Sequence, residues 1–90
     1  MASLRDEMLT VVRDILAPLV RADGGDIYVI HAGDDGIELH LAGRYAGSPG
    51  NALAAEWIIE PAILAVAPHA WIKVTAGAVV PKGAERVGED

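Results

Sequence analysis

The chain has no cysteine and no phenylalanine, and its aromatic complement is two tryptophans and two tyrosines. Without cysteine it can form no disulfide, no thiolate nucleophile and no zinc or iron–sulfur centre held by its own thiolates. Basic residues are scarce: seven lysines and arginines face thirteen aspartates and glutamates, for a formal net charge of −6. That balance repels phosphate backbones and anionic membranes, since nucleic-acid affinity rests largely on Lys and Arg. Long apolar runs are also missing. The longest, Ala62 to Ala67, is six residues, against the roughly 18 a membrane span requires. Arg5 and Asp6 belong to a polar first turn rather than to the basic start of a signal peptide, so the expected location is the cytoplasm.

What remains is ninety residues, enough for one domain near the lower size limit for folding without disulfides or metal. Apolar residues make up 52% of the chain, but sixteen are alanine, so the core should be modest. Leu, Ile and Val, with Trp57 and Trp71, are its expected material. The apolar excess also fits a face covered by a partner.

Ser3 followed by Asp6 reads as an N-cap with an acidic third position, and the spacing predicts a helix over 4–21. Leu4, Met8, Val11, Ile15 and Leu19, flanked by Val12 and Leu16, form its apolar stripe. Arg5, Glu7, Arg13, Asp14 and Arg21 take the solvated face. Pro18 should kink or loosen the last turn. Asp23-Gly24-Gly25-Asp26 then stops the helix as a structural turn, the glycines supplying positive φ and the aspartates capping amides. A carboxylate metal site is the less favoured alternative there.

Ile27 to Ala32 and Ile37 to Leu41 read as a hairpin around Gly33-Asp34-Asp35-Gly36. Ile37, Leu39 and Leu41 should face inward. In the first strand either Ile27 and Val29 or Tyr28 and Ile30 do so, depending on register. Ser48 is a candidate N-cap and Pro49 suits a first helical position, which predicts a helix over 49–67. Its stripe would be Leu53, Trp57, Ile58, Leu64 and Ile63, with a kink or break near Glu60 at Pro61. Trp71 to Thr75 reads as a third strand with Ile72 and Val74 inward. The domain should span 1–76, followed by a loosely ordered tail, 77–90, with a contact at Val79-Val80. The expected class is α+β: helix, strand, strand, helix, strand, with two helices on one face of a three-stranded sheet.

From about Met8 to Thr75 the residues resemble the C-terminal domain of NifU, the Nfu-type iron–sulfur scaffold. The likeness rests on Ala17-Pro18-Leu19, on Arg21-Ala22-Asp23-Gly24-Gly25-Asp26-Ile27, on the hairpin, and on the frame Gly43, Gly47 and Pro49. In that family the frame encloses a Cys-x-x-Cys pair whose thiolates hold an iron–sulfur cluster, commonly shared between two subunits and passed to client proteins. Here Tyr45 and Ser48 stand at those two positions. A serine hydroxyl is hardly ionised at neutral pH and a phenol titrates near 10; neither is the soft donor a cluster selects. The resemblance therefore implies a degenerate member that keeps the scaffold and has no cluster or other cofactor of its own.

Two readings follow. In the first the chain is a non-catalytic module in iron–sulfur assembly or metalloenzyme maturation, docking a protein partner through Arg44, Tyr45 and Ser48; Arg and Tyr are favoured interface residues. Tyr45 covering the vacated site is the plainer alternative. In the second it carries iron or a cluster on ligands lent by a partner or by His31, His40 and His69. With no bridging cluster, a monomer or hetero-complex is expected. Gly47-Ser48-Pro49-Gly50 also matches the GxxG of KH domains, but only Arg44 is basic there. The same stretch misses the first glycine of a G-x-S-x-G nucleophile elbow, and no acid–base pair or triad emerges, so no enzyme is expected.

Overall fold

In a computed structural model of the protein, residues 3–22, 24–43 and 51–87 are described, 51–56 by backbone alone. Ser3 Oγ accepts the Asp6 amide at 3.2 Å, and Asp6 and Glu7 place negative charge at the positive end of the helix dipole. The helix runs as an α segment Leu4–Val11, a π-helical segment Val12–Leu16 and an α segment Ala17–Ala22, together α1.

The π segment explains which side chains are buried. Pro18 has no amide hydrogen, and in a regular α-helix its ring crowds the carbonyl four residues back, that of Asp14. The backbone widens instead, and the Ala17 amide bonds to Val12 O, five residues back. The loosening sits one turn upstream of the proline, not in the last turn. Each residue of an α-helix turns about 100°, so one extra residue in the turn re-aims everything after it. Leu16, Ala17 and Val20 are buried, whereas Ile15 and Leu19 are each 51% exposed and Leu4 is 42% exposed. The expected stripe holds only at Met8, Val11, Val12 and Leu16.

Strands β1 (Gly25–Gly33) and β2 (Gly36–Gly43) pair antiparallel around Asp34-Asp35. Ile27 opposes Leu41 and Val29 opposes Leu39, which settles the first strand: Ile27 and Val29 face the core. A bulge between Val29 and His31 shifts the phase, so Ala32, opposite Ile37, also packs inward.

Helix α2 (Asn51–Leu64) runs through Pro61 without a break. Its described inward residues are Ile59 and Ile63, while Trp57 is 78% and Ile58 48% exposed. Trp57 and Ile58 are thus not core residues. Ser48 and Pro49 lie outside the described residues, as does the Leu53 side chain. Strand β3 (Trp71–Ala76) lies parallel to β2, with Ile72 beside Ile37 and Val74 beside Leu39. Trp71, at 42% exposure, is not core either.

Among the described residues the sheet has four strands, not three, in the order β3-β2-β1-β4. The fourth, β4 (Glu85–Arg86), comes from the stretch beyond residue 76 and pairs antiparallel with β1. Two residues carry no periodicity a sequence pattern can reveal. Tertiary contacts fix this strand: the Val87 amide bonds to Ile27 O at 2.9 Å, and Arg86 grips Asp26 Oδ1 through Nη2 at 2.8 Å and Nε at 3.2 Å. Val79, 84% exposed, lies away from the core. Both helices bury against the same cluster as Ile27, Ile37, Leu39 and Leu41. Among the described residues no helix is long and apolar enough to cross a membrane.

Candidate functional site

The loop singled out by the sequence connects Gly43, the last residue of β2, to Asn51, the first of α2. Arg44, Tyr45 and Ser48 lie outside the described residues, and so does Asp23. The structure does describe the frame on the β2 side of that loop. Gly24, with φ 83°, donates its amide to Arg21 O at 2.9 Å and ends α1. Gly25 then opens β1 directly opposite Gly43.

Gly43 has φ 71°, a conformation L side chains rarely adopt, and a Cβ there would come within 3.0 Å of Gly24 O and 3.1 Å of Gly25 Cα. Two motifs nearly twenty residues apart in sequence, the Gly-Gly turn and the first glycine of the loop frame, therefore meet backbone to backbone. Asp26, the last residue of the turn motif, is held by Arg86 of β4. These residues bring the Gly-Gly turn and the start of the loop frame together.

His31, His40 and His69 do not form a site. His31 and His40 both project from the sheet face opposite the core, His31 beside Glu38 and His40 beside Tyr28. The His31 ring lies parallel to the Trp71 indole, at 6° with centroids 5.9 Å apart. His40 is only 4% exposed and uses both ring nitrogens, Nδ1 with Thr75 Oγ1 at 2.8 Å and Nε2 with Gly77 O at 3.0 Å. A carbonyl can only accept, so Nε2–H donates to Gly77 O, while Thr75 Oγ1 lies between Nδ1 and Leu39 O, the latter at 3.5 Å. His69 is exposed and lines a separate hollow of about 250 Å³ with Leu4, Asp34 and Asp35. Among the described residues no three His, Asp or Glu side chains are grouped to hold a metal ion.

The chain matches no family model, no curated protein and no solved structure.

Sequence reasoning missed the outer face of the sheet. Trp71 lies across Gly36, where any Cβ would overlap the indole, and Lys73 reaches Glu38 at 3.8 Å. Gly36 was legible only as a turn residue. That it also makes room for an aromatic ring depends on β3 lying parallel to β2 with Trp71 opposite it. Arg5 and Arg13 are exposed, as members of a solvated face should be, and they also line a cleft.

Proposed function

We propose that this chain is a non-catalytic, NifU-like module that binds a protein partner in iron–sulfur cluster assembly or metalloenzyme maturation and has lost a cluster site of its own. The observation that carries this reading is the donor set: no cysteine in the chain, with Tyr45 and Ser48 where the family it resembles has its thiolates. Oxygen donors of this kind do not fit an iron–sulfur cluster, and no step through one is derived. Support comes from the Gly24-Gly25 turn packed against Gly43, the described part of the frame on which the resemblance rests. Recognition through Arg44 and Tyr45 is the role this reading gives that loop.

The carrier reading is disfavoured by His40, whose two ring nitrogens already have partners. Recognition of nucleic acid is disfavoured by the net charge of −6.

Anaerobic reconstitution with iron and sulfide tests the proposal. The unaltered chain should stay colourless, and the double variant Tyr45→Cys, Ser48→Cys should take up iron and sulfide. A coloured, iron- and sulfide-loaded unaltered chain would overturn it. For the partner, Arg44→Ala and Tyr45→Ala should abolish co-purification of a bound protein while leaving circular dichroism unchanged; retention of the partner in both variants would remove that loop from the interface.

A further inference from the structure

A second surface, separate from residues 44–50, lies between α1 and the β4 edge of the sheet. It is a cleft of about 440 Å³, within the range of roughly 300–1,000 Å³ typical of small-molecule sites. Leu9, Ile30 and Val87 line it, as do Arg5, Arg13 and Arg86. Three of the seven cationic residues of an acidic chain thus converge on one cleft. Among the described residues Glu85 is the one acidic residue lining it. Asp6, Asp14 and Asp26, the partners of the three arginines, are not among its lining residues.

The two arginines on α1 are held but not used up. Arg5 donates Nε to Ala32 O at 3.2 Å, which pins its guanidinium to the edge of β1. Its pair with Asp6, at 3.5 Å, is solvent-exposed, and such pairs hold weakly. Arg13 gives Nε to Asp14 at 3.1 Å, and among the described residues its two terminal amines have no partner. An arginine fork with free terminal amines is suited to bidentate pairing with an anion.

Both walls of the cleft also depart from regular geometry at this place. Arg13 stands in the π segment of α1, and Ile30 is the bulge residue of β1, left out of the register with β2. Single π turns and β-bulges both concentrate at functional sites. Among the described residues β4 pairs with Tyr28 and Val29, and the β1 edge beyond Val29 lines the cleft.

We propose that this cleft binds a small amphiphilic carboxylate, its anionic head on the guanidinium groups of Arg5 and Arg13 and its apolar body on Leu9, Ile30 and Val87. The apolar body, rather than the charge of the head, separates this ligand from inorganic phosphate, which has nothing to place on Leu9, Ile30 and Val87. The proposal stands apart from the partner-binding reading of residues 44–50, and either can fail alone.

An NMR titration of the ¹⁵N-labelled chain with octanoate tests it, with octylammonium and inorganic phosphate as comparators. Octanoate should shift the amides of Val29 to Ala32 and the Nε signals of Arg5 and Arg13 saturably. Arg13→Gln should weaken that binding about tenfold, the scale of one charged hydrogen bond, whereas Lys73→Gln on the outer sheet face should leave it unchanged. The proposal is overturned if octanoate produces no saturable shift, or if Arg13→Gln and Lys73→Gln act alike. It is equally overturned if octylammonium binds as well as octanoate, or if phosphate reproduces the same shifts at the same concentrations.

Discussion

Along β2, Ile37, Leu39 and Leu41 alternate with Gly36, Glu38 and His40, and the two sets are held in place by different physics. The first three are essentially inaccessible to solvent and pack with Met8, Val12, Leu16, Ile59 and Ile63. Their stabilisation is non-directional burial, tolerant of small shifts and roughly proportional to area. The other three depend on particular neighbours: the indole over Gly36, Lys73 beside Glu38, and Thr75 with Gly77 O around His40. All of these come from β3 or the residue following it, so the outer face is a set of directed contacts that exists only in one register. No buried polar side-chain atom among the described residues lacks a partner.

Substitutions can break or sharpen that contrast. Leu39→Ala should have the largest effect, about 2–5 kcal/mol of stability lost to transfer and cavity terms, measured by urea denaturation. His40→Ala should come next, at about 1–3 kcal/mol, because it removes the ring that bonds Gly77 O and Thr75 Oγ1 in a buried setting. If His40→Ala costs more than Leu39→Ala, directed contacts outweigh burial and the comparison fails. Gly36→Ala should cost about 0.5–1.5 kcal/mol by displacing Trp71 from its parallel stack with His31, seen as a change in tryptophan emission. Lys73→Ala should be smallest, below about 1 kcal/mol, since the lysine side chain is 65% exposed.

The two helices show where sequence patterning stops being sufficient. Each has a proline inside it, yet Pro61 leaves α2 unbroken through Leu64, whereas upstream of Pro18 α1 contains a π segment. A periodicity argument assumes a constant angle per residue, and one π turn violates it. Ile15 and Leu19 satisfy the α-helical stripe in sequence and miss the core in space. In α2 the larger residues Trp57 and Ile58 drew attention, but Ile59 and Ile63 do the packing. An apolar helix with alanine on several sides has no single face its sequence can declare.

At the candidate loop, the sequence supplied the glycine frame and the missing thiolates, while its contact with the Gly24-Gly25 turn required the folded chain. The cleft beneath Arg5 and Arg13 was not legible at all. On α1 alone these arginines look solvated, and only the bulged edge of β1 and the returning β4 give them a wall to face.

By itself the sequence determined the α+β class, the hairpin, the inward set of β2 and the absence of any thiolate ligand, because composition and short-range alternation act within a few residues. Tertiary structure alone decided the fourth strand, the phase of α1 after its π turn, the partners of His40 and the placement of Trp71 over Gly36. Each of those depends on which distant backbone lies alongside, and that is set by how the whole chain closes around one small core.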